Sequence, residues 1–258
     1  MSTQIHNTAI IDSSAQIGEN VTIGPLVIIE NDVIIGDGTT VNSHATIKEN
    51  SKIGSNCRIF QSAVIGEIPQ DLKFDGEKTE LLIGNNTTIR EFCTLNRGTL
   101  ESNKTQIGSN VLLMAYVHVA HDCFIGNNVI LANGVQLGGH VIIDNDVIIG
   151  GTTPIHQFCK VGEHAMVGGG FRVVQDVPPY ILAAGEPLKF NGLNSIGLRR
   201  RGFTPDTRKA IKNAYQFIYN SELNISAAIK KIKSTLDLEI PEIQKIITFV
   251  EKSDRGLI

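Results

Sequence analysis

Aliphatic side chains recur at every sixth residue along most of this chain. Stepping from Ile5, the positions Ile11, Ile17, Ile23, Ile29, Ile35, Val41, Ile47, Ile53, Ile59 and Ile65 follow without a miss. The phase lapses at Asp71 and Glu77, returns at Ile83, Ile89 and Leu95, lapses at Glu101, and holds from Ile107 through Val173. In all, 26 of 29 steps carry Ile, Val or Leu. The next column is rich in glycine, as at Gly18, Gly24, Gly36, Gly54, Gly108, Gly126 and Gly150. Two columns further on, Asn20, Asn50, Asn56, Asn86, Asn110 and Asn128 recur with Asp32, Asp146, Gly38 and Gly134. These residue types tolerate a left-handed backbone, so that column marks a corner.

The column after the corner is small or β-branched (Ala9, Ala15, Val21, Val27, Ala45, Ala63, Val111, Val135, Val147), which places a second side chain inward beside each aliphatic. A chain that turns at each hexad stacks short parallel strands into a prism with coils ~4.8 Å apart. The period therefore predicts a hexapeptide parallel β-helix. Cys57, Cys93, Cys123 and Cys159 all fall in the small inward column and read as packing residues, not as metal ligands or disulfide partners.

Two segments leave the period, "EIPQDLKFDGEKTELL" at 67–82 and "NRGTLESNKTQ" at 96–106. Both re-enter in phase, as loops thrown out from a corner of a rigid scaffold would, and such loops often carry function. After Val173, "VQDVPPYILAAGEPLKFNGLNSIGLRRRGF" reads as an irregular connection punctuated by proline and glycine. The expected division is a β-helix over 1–189 and a helical C-terminal domain over 190–258. In the latter, Thr204 caps a segment with Ile211, Tyr215 and Ile218 on one face. Ile225, Ile229 and Ile232 form a second face, and Pro241 opens a third segment through Ile243, Ile247 and Val250. Lys230, Lys231 and Lys233 read as a solvated face.

Composition narrows the function classes. With 258 residues, 41% hydrophobic content and a formal net charge of -3, the chain can bury a large core, and its overall charge favours neither nucleic acid nor an anionic membrane as partner. No stretch approaches the ~18 apolar residues of a spanning helix, and "MSTQIHNTAI" lacks a basic and then apolar leader. A cytoplasmic protein without a membrane span is the expectation.

The candidate chemistry lies in "HVAHDC", residues 118–123. His44, His140 and His164 sit in the corner column, where histidine is itself at home, whereas His118, His121 and His156 occupy other columns and need another reason. If three hexads make one coil, residues 18 apart stack, placing His140 over Asp122 and Gly139 over His121. Zinc is an alternative, but a three-residue step along a strand sends His118 and His121 to opposite faces. An imidazole held by the adjacent carboxylate is instead suited to take a proton from a hydroxyl near neutral pH.

At these residues the chain resembles the UDP-N-acetylglucosamine acyltransferases that begin lipid A synthesis. The matching stretches are "IGEIPQDLKF", "LLMAYVHVAHDC", "LGGHV", "IHQFC", "VVQDVPPY" and "GLRRRGF", and they occur in the family's order. The resemblance implies an all-β left-handed parallel β-helix of hexapeptide repeats followed by a small α-helical C-terminal domain, without metal or other cofactor. It implies transfer of an R-3-hydroxyacyl chain from acyl carrier protein to the 3-position of UDP-N-acetylglucosamine by a homotrimer with active sites between subunits. His121 would be the general base, Asp122 its orienting acid and the Gly139 N–H an oxyanion donor. Asp71, Lys73, His118, His140, His156 and Gln157 would line the sugar and phosphate site, and Asn194, Arg200 and Arg201 would hold the nucleotide. Gly169 matches the position that limits acyl length, and its lack of a side chain implies room for around fourteen carbons. Ile196 lies where some relatives carry glutamate, and relatives with apolar residues there include some that acylate a 3-amino sugar. Other readings are a hexapeptide acyltransferase using coenzyme A or another acceptor, a zinc hydratase, and a non-catalytic scaffold.

Overall fold

Each coil of the chain contributes one short strand to each of three walls. The structure, a computed structural model, describes residues 2–258. Gln4–Ile5, Ile10–Ile11 and Gln16–Ile17 open three parallel sheets, and later coils add strands to each in turn. The second and third sheets have eight strands and the first has eleven. The architecture is a left-handed parallel β-helix. Uninterrupted coils repeat every 18 residues, with Gln136 beside His118 and Ile142 beside Phe124.

Most hexads give two residues to a strand and the rest to a corner. The corner column is left-handed as expected, with φ of 57° at Asn20, 58° at Asn128 and 60° at His140. The inward aliphatics from Ile23 to Val173 are at most 5% exposed, while Ile5 in the first coil is 51% exposed. The four cysteines are free and buried between them. Burial pushes the Cys93 and Cys123 thiols up to about 12, so both stay protonated near neutral pH.

The three edges of the prism differ in chemistry. Asn20, Asn56, Asp146 and His164 line the edge between the third and first sheets, and Leu26, His44, Phe92 and Tyr116 the edge between the first and second. Asp32, Asn50, Asp122, His140 and Phe158 line the edge between the second and third. Both loops leave from this last edge. The first spans 68–79 and the second 97–103, each shorter than the period suggests, because Glu80–Ile83 and Lys104–Ile107 pair with one another along the third wall. Arg97, at the start of the second loop and only 4% exposed, reaches across to the first. Its Nη1 donates to Glu49 Oε1 at 2.8 Å, and its guanidinium lies 5.6 Å from the Phe74 ring centroid.

The segment expected to be irregular is more ordered than its prolines suggest. Ile181–Ala184 extends the first sheet beside Met166–Val167, and Lys189–Leu193 returns antiparallel to it, so the expected division at 189/190 falls inside a strand. Helix α1 (Ser195–Arg200) follows, then α2 (Pro205–Tyr219), α3 (Ile225–Thr235) and α4 (Pro241–Glu251). Ile225 departs from its expected inward face and is exposed, because α3 starts there on the Asn224 cap and buries Ala228, Ile229 and Ile232 instead. The tail is tied to the prism: Tyr215 Oη donates to Pro179 O at 2.6 Å, and the Ile258 N–H to Asp176 O at 3.1 Å. Among the described residues no helix is long and apolar enough to cross a membrane.

Leu131 is fully buried in the aliphatic column. Leu131→Ala is expected to lower the free energy of unfolding by about 2–5 kcal/mol, and Ile10→Ala, at an exposed outward position, by less than about 0.5 kcal/mol. Denaturant titration of both variants measures the difference.

Candidate active site

The 18-residue coil places a histidine, a carboxylate and a glycine together at the edge from which the loops depart. His121 follows the strand His118–Val119, and Asp122 is the left-handed corner residue, with φ of 59°. His121 Nδ1 lies 2.7 Å from Asp122 Oδ2. Burial by itself would raise the Asp122 carboxyl, but hydrogen bonds from Ser102, His121 and Thr99 outweigh it and hold the group below its ordinary range. An ionised carboxylate only accepts, so a proton sits on Nδ1, and in the neutral ring Nε2 is the nitrogen that carries the lone pair. Among the described residues, Nε2 has no hydrogen-bond partner.

Gly139 lies one coil on, directly against this ring. A Cβ at residue 139 would come within 2.7 Å of both His121 Cε1 and Nε2, so only glycine leaves the imidazole its place. Gly139 O accepts from the Phe158 N–H at 3.0 Å, while the Gly139 N–H makes no hydrogen bond within the described residues. His140 stands over Asp122 as the period predicts, its Nε2 3.6 Å from Asp122 Oδ2 and 3.4 Å from Glu101 Oε2. Its ring meets His121 edge-on at 5.2 Å and stacks on Phe158 at 4.6 Å.

His121, His140 and Phe158 face a cleft of about 690 Å³ lined by both loops, with Asp122 buried behind His121. Asp71, Lys73 and Phe74 enter from the first loop, Thr99, Leu100 and Glu101 from the second, and Gln157 from the edge beside His121 and His140. Asp71 Oδ1 accepts the Lys73 N–H at 3.0 Å, which turns this part of the loop. His118 lies outside the lining, half-buried, with its Nδ1 2.8 Å from Thr94 Oγ1. Burial lowers its pKa, so it is neutral near pH 7.

The remaining predicted residues are not brought here by one chain. His156 is exposed on a separate shallow groove with Pro154 and Arg172. Asn194 is buried on the edge between the third and first sheets, accepting the Gly197 N–H at 3.2 Å to cap α1 and donating to His164 O at 2.9 Å. Arg201 Nε donates to Asp146 Oδ1 at 3.0 Å on that same edge, and Arg200 is exposed beside it. Gly169 lies near the third edge, between the first and second sheets, where a Cβ would sit 3.1 Å from Gly151 O.

Sequence reasoning missed Thr99, Ser102, Glu101 and Phe158. Phe158 had a readable signal, a bulky ring in the left-handed column where small polar residues prevail. The loop residues had none, because an excursion from the period carries no register.

His121, Asp122 and His140 also present ligand atoms within 4.8 Å of one another, a spacing compatible with a metal ion. Asp122 is already engaged, however. Thr99 N–H donates to Oδ1 at 2.9 Å, Thr99 Oγ1 to Oδ2 at 2.7 Å, His121 to Oδ2, and Ser102 Oγ to Oδ1. Four donors occupy about all the lone-pair sites a carboxylate has. The donor set fits an oriented imidazole better than a cation.

Comparison with known proteins agrees with this fold. A family model described as UDP N-acetylglucosamine O-acyltransferase, domain 2, matches residues 176–258, and a bacterial transferase hexapeptide model matches 14–49, 26–61 and 104–139. An acyl-(acyl-carrier-protein)-UDP-N-acetylglucosamine O-acyltransferase of Paracidovorax citrulli is 55% identical over 98% of each chain. The crystal structure of a UDP-N-acetylglucosamine acyltransferase from Bacteroides fragilis superposes with a TM-score of 0.96 at 46% identity, covering 99% of this chain and 100% of that one. An Arabidopsis UDP-N-acetylglucosamine acyltransferase gives 0.87 at 34% identity, over 98% and 99%. With identity of this order over almost the full length of both partners, and with the same prism and helical tail, the chain belongs to the UDP-N-acetylglucosamine acyltransferase family.

Proposed function

We propose that the chain transfers an R-3-hydroxyacyl group from acyl carrier protein to the 3-hydroxyl of UDP-N-acetylglucosamine, with His121 as general base. The observation that carries this reading is the His121 ring, tied to Asp122 through Nδ1 while its free Nε2 stands against Gly139 at the cleft. Nε2 takes the proton of the sugar hydroxyl as its oxygen attacks the thioester carbonyl. Asp122 stabilises the imidazolium that forms. The unengaged Gly139 N–H meets the oxyanion, a contact that strengthens as charge develops and so lowers the barrier. The thiolate of the carrier then leaves with the proton returned by His121.

Asp71, Lys73, His140 and Gln157 surround the sugar and its phosphates in this cleft, with His118 beside them. Asn194, Arg200 and Arg201 hold the nucleotide, arginine being suited to a diphosphate by its planar fork of donors. They lie on another edge of a rigid prism and Gly169 by the third, while His156, at the end of a second-sheet strand, faces a groove apart from the cleft. A homotrimer with sites between subunits accommodates all of them, since one subunit's edge then faces a different edge of the next. Gly169 sets the acyl length at around fourteen carbons. The exposed Ile196 on α1 favours a second reading, a 3-amino sugar acceptor giving an amide.

Three outcomes are expected. His121→Ala lowers kcat by ~10² to 10⁴ with nucleotide binding retained by calorimetry, and an alanine variant with full turnover refutes the assignment. Gly139→Ala, whose methyl displaces the imidazole, loses on the order of 10²-fold in kcat. Mass spectrometry of the product from mixed acyl donors and both sugars reads chain length and distinguishes ester from amide.

Asp122 also predicts a pH effect on stability. Its folded pKa is depressed, so its stabilisation is complete above the unfolded value of ~3.9 and is lost as pH falls through the folded one. Asp122→Asn, which sets amide hydrogens against the Thr99 and Ser102 donors, is expected to cost about 1–3 kcal/mol near pH 7. In denaturant titrations that difference shrinks as pH drops below ~3.9.

A further inference from the structure

The second interruption of the hexads is the feature that catalysis by His121, Asp122 and Gly139 does not itself explain. It stretches the step along the second wall to 24, from Thr94 to His118, where unbroken coils step 18. The extra residues deliver three donors to one carboxylate. Thr99 contributes its N–H and its hydroxyl, one to each carboxylate oxygen, and Ser102 contributes its hydroxyl to Oδ1. The Ser102 hydroxyl also lies 2.8 Å from Lys104 O, but a carboxylate is the stronger acceptor for its single proton.

The Asp122 side chain is fully buried. A buried carboxylate stays ionised only when its charge is compensated, and the His121 N–H supplies one of the four hydrogen bonds that do so. The other charged or titratable groups facing it are His140 one coil on, Glu101 from the loop, and the protonated Cys123 thiol beside it in the chain. Asp71 and Lys73 stand across the cleft. Glu101 is of the wrong sign to help. The other three hydrogen bonds come from the neutral donors of the loop, and because they approach both oxygens they also fix which way Oδ2 points.

We propose that Thr99 and Ser102 are positioning residues of the acyl transfer: loop 97–103 clamps Asp122 ionised and aimed at His121 Nδ1, so that Nε2 faces the acceptor hydroxyl. The proposal rests on the reading of His121 as general base. The clamp acts on catalysis through the dyad.

The test compares Thr99→Val, Ser102→Ala, their double variant and the conservative Thr99→Ser in the full-length enzyme, with His121→Ala assayed in parallel. The double variant is expected to lose at least about tenfold in kcat, as misorientation of a general base does, with KM for the nucleotide sugar changed less than about twofold. Thr99→Ser restores activity. Without the donors the coupled pair takes up its first proton more readily, so the acid limb of the kcat/KM profile moves to higher pH. Adding the clamp substitutions to His121→Ala produces no further loss in kcat. A folded double variant with normal kcat and an unmoved acid limb overturns the proposal, as does a loss confined to KM. If the double variant fails to fold, the single variants are read by the same criteria. Inactive His121→Ala beside a normal double variant removes the clamp alone, whereas active His121→Ala removes the general-base reading as well.

Discussion

An aliphatic side chain turned inward at every sixth residue holds the rest of the structure in register. From Ile23 to Val173 these side chains are sealed in a narrow interior, each packed against the coils before and after it. Side chains alternate faces along a strand, so a slip of one residue would turn the column outward and bring polar neighbours in. A coil therefore cannot drift. Its corners need a left-handed residue at a fixed position, which costs little for Asn, Asp or Gly and more for other residues. The column of such residues and the aliphatic column thus specify the same geometry, one through backbone conformation and the other through burial.

The site follows from that lock. With coils fixed at 18 residues, Gly139 must lie against His121, and Asp122, His140 and Phe158 must share an edge. The close ring contacts among them are consequences of coil spacing, not of any loop. The lock also explains where the loops can be. Residues inserted at a corner leave the inward column in phase, whereas an odd number inserted within a wall would invert every side chain beyond them in that strand. Both excursions accordingly leave at corners of one edge, and a long step such as the 30 residues from Arg58 to Thr88 still pairs strands in register. Function gathers where the repeat can be opened without being broken.

This division also marks what could be read from the sequence. The prism, the buried cysteines and the stacking of residue 139 on 121 and 140 on 122 were legible because periodicity encodes them directly. The loop donors to Asp122 were not, since Thr99 and Ser102 are ordinary polar loop residues whose partner lies more than three hexads away in sequence. The connection after Val173 was misread for a related reason. Its prolines and glycines signal breaks, yet the strand Ile181–Ala184 between them takes its order from the edge of the first sheet, a tertiary contact no local pattern displays. Ile225 shows the limit on the helical side, where a capping asparagine one residue earlier decides that the first turn stays exposed.

The same rigidity that makes one edge legible sets a condition on the whole molecule. His121 and its cleft occupy the edge between the second and third sheets, Asn194 and Arg201 are tied to Asp146 and His164 between the third and first, and Gly169 lies by the corner between the first and second. A hinged enzyme could fold one set onto another. A prism with a continuous aliphatic interior cannot, because bending it would open that interior to water. A single substrate that touches groups on two edges lies, on the proposed reading, between two copies of the chain, with the general base supplied by one and the nucleotide contacts by the other. On the proposed reading, association of subunits is then part of building the site, and any change that weakens it costs substrate binding before it costs the fold of the individual prism.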